Sequence, residues 1–333
     1  MHEIDMKKFN VRTDLVVDIL DESIVKDEYN HGDIKVTDIT LDENNILNKK
    51  KGRYITISFN DVTDKDNRKK VEEVFIDNLH KLLGDIKDKK FLIVGLGNIK
   101  STPDSLGPKV IDNILVTRYL YETPGIDVDE NYSNVSAIIP GVSGTTGIES
   151  TDIILGIIDK IKPDIVIAID ALASSSIDRI NKTIQMTDTG IEPGSVVGNK
   201  RKELSYDTLN VKTIAIGIPT VIDGVTIVAD TIEFMKKKFS YSKDTLNKKS
   251  EKFVLNRNYK DTLDNLTEEE KEKLLGVIGN LTDEEIKQLI FEVLSPIDYN
   301  LMVTVKEIVF VIDKLILLLS NGINKTLHKN YNE

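Results

Sequence analysis

The sequence predicts an α/β protein: a mostly parallel sheet with helices on both faces. Three observations predict it. Short, continuous apolar runs recur after residue 90, at Phe91–Gly95, Val135–Pro140, Ile165–Asp170 and Thr213–Ile218. A helical pattern follows each run, and unbroken apolar strands alternating with helices imply strands buried on both faces. With 333 residues, 40% of them hydrophobic, the chain is also long enough to bury a large core.

Taken in order, Val36–Leu41 and Tyr54–Phe59 alternate as strands do. Over Arg68–Leu83, Val71, Val74, Phe75, Leu79, Leu82 and Leu83 form one helical stripe, with His80 as a half-exposed structural residue. Strand Phe91–Gly95 leads through a loop to a helix over Leu106–Tyr121. Strand Val135–Pro140 leads through a glycine-rich turn to a helix over Ile148–Ile161. Strand Ile165–Asp170 precedes a short helix, and strand Thr213–Ile218 a helix over Val221–Phe239. Residues 241–266 are polar and lysine-rich and read as a linker or excursion from the core at 15–240. A helical extension over 267–333 is expected to pack on that core. Thr267-Glu-Glu-Glu and Thr282-Asp-Glu-Glu are helix starts with acidic first turns. The last helix, Val303–Ser320, carries Phe310, Val311, Leu317 and Leu318 off its main apolar stripe, so it is either deeply buried or shared with a subunit.

Composition removes several chemistries. Having no cysteine excludes disulfides, a thiolate nucleophile and thiolate metal sites. The four histidines are His2, His31, His80 and His328, so no imidazole lies between 81 and 327. A net charge of −11 disfavours nucleic acid, and the longest basic cluster is Lys200-Arg201-Lys202. The polar, charged start shows no signal peptide, and Asp313 and Lys314 break the most apolar run. A soluble, intracellular protein without membrane or nucleic-acid partners is expected.

In open α/β sheets, reacting groups gather beyond the carboxyl ends of strands. That rule selects Asp170, directly after Ile165–Ile169, and Asp104, in the loop after Phe91–Val94. Helix capping is the alternative for both. Gly95-Leu-Gly97 lacks the third glycine of a dinucleotide fingerprint. Gly141-Val-Ser-Gly144 resembles a tight turn into a helix, which either packs plainly or offers N–H groups to an anion or oxyanion. Asp188-Thr189-Gly190 copies the pepsin turn once, within an α/β pattern, and is read as accidental.

Ordered motifs along nearly the whole chain resemble the germination endopeptidases of spore-forming bacteria. They include Val11-Arg-Thr-Asp-Leu, Gly95-Leu-Gly-Asn, Thr102-Pro-Asp-Ser-Leu-Gly-Pro, Pro140-Gly-Val, Ala168-Ile-Asp-Ala-Leu-Ala, Gly198-Asn-Lys-Arg-Lys-Glu-Leu-Ser and Asn300-Leu-Met-Val-Thr-Val. The resemblance implies an aspartic endopeptidase of unusual fold, akin to hydrogenase-maturation proteases in a phosphorylase-like arrangement. It puts the catalytic pair on Asp104 and Asp170. It implies no cofactor and no metal, small acid-soluble spore proteins as substrates, a cytoplasmic location in the forespore or spore core, and a homo-oligomer, with a tetramer expected. It also implies a zymogen that trims itself. Thr13-Asp14-Leu15-Val16 is an imperfect copy of the family's cleavage sequence, so residues 1–14 form the propeptide and the bond between Asp14 and Leu15 is the expected processing site. Lys200, Arg201 and Lys202 either steer acidic substrate segments or form a solvated loop.

Two alternatives have different requirements. A metal-dependent maturation-type endopeptidase uses a histidine that the middle of this chain does not have. An inactive binding protein on the same fold would not need both aspartates. Peptidyl-tRNA hydrolases share Gly-Leu-Gly-Asn, but they need a following histidine and a basic face, and this chain has neither.

Overall fold

The structure is a computed structural model; it describes residues 13–20, 24–43, 45, 47, 49–193, 202–245, 262–294 and 301–331. Two compact units emerge. One comprises the described residues of Ser175–Ile177 and Ile222–Val303, and the other comprises those of Thr13–Ser174, Asp178–Val221 and Thr304–Tyr331. Of the polar stretch expected at 241–266, residues 246–261 lie outside the described residues.

The larger unit opens with strands β1 (Lys26–His31), β2 (Ile34–Leu41) and β3 (Gly52–Ser58), then helix α1 (Lys65–Leu83). Next come β4 (Lys90–Gly95), α2 (Leu106–Ile111), α3 (Arg118–Glu122), β5 (Asn134–Ile138), α4 (Ser143–Thr146) and α5 (Ser150–Ile161). Strand β6 (Ile165–Ser174), β7 (Thr183–Thr187), α6 (Tyr206–Leu209) and β8 (Lys212–Asp223) complete the sheet, ordered β1-β2-β3-β7-β8-β6-β4-β5. The smaller unit holds α7 (Gly224–Thr245), α8 (Glu268–Leu275), α9 (Asp283–Leu294) and β9 (Met302–Val303). Helix α10 (Ile308–Leu327) belongs to the larger unit.

The α/β class holds, with helices on both faces, but the sheet is mixed. Strand β4 pairs in parallel with β5 and β6. Strands β1, β2, β3 and β7 pair antiparallel in turn, as do β7 and β8. Alternation along β4 and β6 explains the double covering. Phe91, Ile93, Ile165, Ile167 and Ile169 face a core shared with α1, α2 and α10, whereas Leu92, Val94, Val166 and Ala168 face Ile154 and Ile158 of α5.

The expected helix over Leu106–Tyr121 is broken between α2 and α3. Asn113 Nδ2 bonds the Lys109 carbonyl at 2.9 Å, and Asn324 of α10 bonds both the Leu115 N–H and the Asn113 carbonyl at 2.9 Å. These side-chain bonds satisfy the backbone groups that the break exposes. The last helix starts and ends later than expected. Ile312, Leu315, Ile316, Leu319 and Ile323 are buried, while Val309 and Phe310 are 67% and 62% exposed. His80 is exposed on α1, rather than half-buried. In the smaller unit, Thr267 caps α8 through a reciprocal capping box, and Thr282 exchanges bonds with Glu285 at the start of α9.

Candidate active site

The site begins where the parallel ladder of β4 and β6 ends. The last pair in register is Gly95 with Ile169, and the Leu96 N–H continues it by donating to the Ile169 carbonyl at 2.8 Å. Asp170 is the next residue of β6. Strand β6 does not stop there, as expected, but runs on to Ser174. Its extension is paired: the Asp14 N–H donates to the Ala173 carbonyl at 3.1 Å. Asp170 is 6% exposed, on the sheet face shared with Val166 and Ala168, and its Oδ1 accepts the Ala171 N–H at 2.8 Å.

Asp104 lies in a 3-10 turn, Thr102–Asp104, which packs against β6. The Asn98 N–H donates to both the Asp104 carbonyl at 3.0 Å and its Oδ2 at 2.8 Å, so the loop folds back on its own aspartate. Glycine is required twice. Gly97 has φ +113°, and a Cβ there would stand 2.1 Å from the Asp104 carbonyl oxygen. A Cβ on Gly107 would stand 2.3 Å from the Leu96 carbonyl oxygen and 2.5 Å from that of Ile169. The absence of side chains thus lets the start of α2 sit directly on both strand ends. Asp104 and Asp170 are delivered to the same end of two neighbouring strands, each carboxylate oriented by a backbone N–H.

Residues 13–18 are docked on the rest of this unit. Thr13 Oγ1 donates to Asp18 Oδ2 at 2.5 Å, and Arg179 Nε lies 2.6 Å from Asp18 Oδ1. The Ala173 N–H donates to Asp14 Oδ2 at 2.8 Å. Gln185 brackets Leu15: its Nε2 donates to the Asp14 carbonyl at 2.9 Å, and its Oε1 accepts the Val16 N–H at 2.7 Å. Leu15 and Val16 are fully buried. The peptide bond between Asp14 and Leu15 is therefore held inside the fold.

Other predicted residues lie apart from this arrangement or outside the described residues. Gly141, at φ +75°, starts a turn whose Thr145, Thr146 and Gly147 N–H groups are spent on the turn's own carbonyls. Gly144 is exposed, with nothing within 4 Å of an added Cβ. Lys202 pairs with Asp152 at 3.1 Å, while Lys200 and Arg201 lie outside the described residues. Asp188-Thr189-Gly190 is a structural turn. Asp188 accepts the Arg53 N–H at 2.8 Å, and Gly190 at φ +90° leaves room for the Leu204 carbonyl. Gln185 and Ala173 are not expected from sequence. The available signal is a lone amide in Thr183-Ile-Gln-Met-Thr, opposite in alternation to the buried Ile184 and Met186. Among the described residues, no group of three or more His, Asp or Glu side chains converges as a metal site would, and no helix is long and apolar enough to cross a membrane.

Known proteins resemble this chain over its full length. A family model described as germination protease matches residues 2–333. The chain is 43% identical to the germination protease of Priestia megaterium, over 98% of its own length and 96% of that protein's. It is 44% identical to that of Bacillus cereus, over 98% and 95%, and 44% to that of Bacillus velezensis, over 100% and 97%. A NiFe hydrogenase maturation protease from Thermococcus kodakarensis aligns at 19% identity and a TM-score of 0.26, covering 43% of this chain and 80% of that one.

Proposed function

The chain belongs to the germination protease family, and from that premise we propose that it is a two-aspartate endopeptidase, made as a zymogen, that degrades small acid-soluble spore proteins in the spore core. What supports the reading is that the Thr102–Asp104 turn packs against β6, the strand that carries Asp170, just beyond the paired ends of β4 and β6, with glycines where the backbones touch.

Two carboxyl groups facing one water cannot both ionise cheaply, so the pair retains one proton. The ionised member draws a proton from the water as it attacks the scissile carbonyl carbon. The protonated member donates its proton to the carbonyl oxygen, and the proton taken from water then passes from the other member to the departing amine. The peptide C–N bond breaks, water supplies the new carboxyl oxygen, and one proton returns to the pair. No covalent intermediate forms. The apparent pKa values belong to the pair, and either aspartate can begin as the base.

The processing site is the bond between Asp14 and Leu15. Support comes from the cleavage-like run Thr13-Asp14-Leu15-Val16 and from its attachment to β6, the strand that carries Asp170. Because Leu15 is fully buried, hydrolysis requires this segment to leave Ala173 and Gln185 first. Self-association as a homo-oligomer belongs to the same reading; the exposed Val309 and Phe310 of α10 offer an apolar surface for it.

The test is incubation with a purified small acid-soluble spore protein, using wild type, Asp104→Asn and Asp170→Asn. Cleavage by wild type alone, unchanged by a chelator, is the expected result. Undiminished cleavage by either variant would end the two-aspartate mechanism. Mass spectrometry of the processed chain should give a new amino terminus at Leu15, and a terminus beyond residue 20 would exclude this bond.

A further inference from the structure

We propose that the Asn98 side-chain amide is a third catalytic group, which donates a hydrogen bond to the carbonyl oxygen of the scissile peptide. The proposal rests on the two-aspartate reading and adds to it the residue that completes Gly95-Leu-Gly-Asn98. Asn98 already touches the site, because its N–H donates to the Asp104 carbonyl at 3.0 Å and to Asp104 Oδ2 at 2.8 Å. Its acceptors are engaged in the loop. The carbonyl accepts the Ser101 N–H at 2.9 Å, and Oδ1 accepts the Lys100 N–H at 3.0 Å, which fixes the end of the amide that is oxygen. Of its polar groups, Nδ2 alone makes no hydrogen bond among the described residues. The residue is half-buried, so a substrate can reach that amide.

Reach and chemistry agree. An asparagine amide nitrogen lies about 3–5 Å from its own backbone nitrogen, which here stands beside Asp104 Oδ2. A carbonyl oxygen that bonds both a carboxyl group and an amide holds them about 5–6 Å apart. Gly97 fixes where the loop places Asn98, since its φ of +113° and its contact with the Asp104 carbonyl leave no room for a Cβ. The Lys100 bond restrains the side chain, so the amide is oriented before a substrate arrives. Negative charge develops on the carbonyl oxygen as water attacks, before the protonated aspartate completes its transfer. A neutral N–H placed there lowers the barrier and exchanges no proton, so the balance of the reaction is unchanged. An amide does not ionise, and it leaves the proton shared by the pair undisturbed.

The test is steady-state cleavage of a purified small acid-soluble spore protein by wild type, Asn98→Ala, Asn98→Ser and Asn98→Asp. Each full-length chain is assayed once mass spectrometry shows it processed, and unfolding midpoints are measured alongside. The introduced serine and aspartate still accept the Lys100 N–H and keep the loop, but neither places a donor where Nδ2 stands. All three variants should lose about 10²-fold in kcat, with KM within about threefold of wild type. The pH–rate profile of Asn98→Ser should keep its wild-type shape at the lower rate. Wild-type kcat in Asn98→Ser or Asn98→Asp would reduce the residue to a loop acceptor and overturn the proposal. A loss confined to KM would overturn it too. So would a displaced limb of the Asn98→Ser profile, which would mean that the side chain acts through Asp104. Should Asn98→Ala unfold, the other two variants decide alone. Retained cleavage by Asp104→Asn or Asp170→Asn is the separate result that would end the two-aspartate reading, whatever Asn98 does.

Discussion

Every residue of β6 is buried, and so are five of the six in β4, whereas all six residues of β1 are exposed. Both regions belong to one sheet. The parallel region is covered on two faces, so its backbone ends can approach closely enough to bring a buried aspartate beside a tight glycine loop. At the antiparallel edge, strands are held by backbone pairing and by surface contacts such as Arg53 with Asp38 at 2.6 Å. Burial in the first region supports a precise site; exposure in the second supports an edge that tolerates change.

The sharpest way to break this comparison is to delete one aromatic side chain from each region. Phe91→Ala should destabilise the fold by about 3–5 kcal/mol, because Phe91 is 1% exposed within the core. Tyr29→Ala, on β1, should cost about 1 kcal/mol or less, mainly through its bond to Asn78. Similar urea unfolding midpoints for the two variants would refute the distinction. A glycine pair sharpens it at the site. Gly107→Ala pushes a methyl group against two strand-end carbonyls and should cost about 1–3 kcal/mol together with a marked loss of protease activity. Gly144→Ala meets nothing and should stay within about 0.5 kcal/mol of wild type. Next in size is the cap of α1. Asp64 accepts the Asn67 N–H at 2.8 Å, and Asp64→Ala should lower stability by about 1 kcal/mol, measured in the same unfolding assay.

The smallest effect concerns pH. Burial holds the His328 imidazole below its usual value of 6.5, partly offset by its bond to the Leu115 carbonyl. The folded chain therefore keeps this ring neutral at a pH where the unfolded chain protonates it. Its contribution to stability is present above 6.5 and is lost as the pH falls below that value. Unfolding midpoints at about pH 7.5 and pH 5.5 should differ less in His328→Gln than in wild type. An equal drop in both would remove His328 as a source.

The same contrast explains what is legible in the sequence. The parallel strands announce themselves as unbroken apolar runs, and the strand-end rule offers Asp170 and the loop residue Asp104 as candidates beside a helix-capping role, between which the family resemblance chooses. Strand β1, Lys-Asp-Glu-Tyr-Asn-His, has no aliphatic residue and no apolar alternation to reveal it, because its order comes from pairing with β2. Strand β7 is short, and its partner β3 lies more than a hundred residues away in sequence. The break after α2 depends on Asn324, two hundred residues downstream, which no local pattern can report. Gln185 escapes local patterns for the same reason: its meaning depends on Leu15, and only the folded chain brings them together.

The central claim is that Asp104 and Asp170 act as one unit, and a catalytic double-mutant cycle tests it most directly. The cleavage rate of a spore protein substrate is measured for wild type, Asp104→Asn, Asp170→Asn and the double variant, with unfolding midpoints confirming that each is folded. A shared proton and a shared water predict that each single substitution costs about as much as both together, about 10³-fold or more. Losses that multiply in the double variant, or a single variant that keeps wild-type activity, would contradict the account.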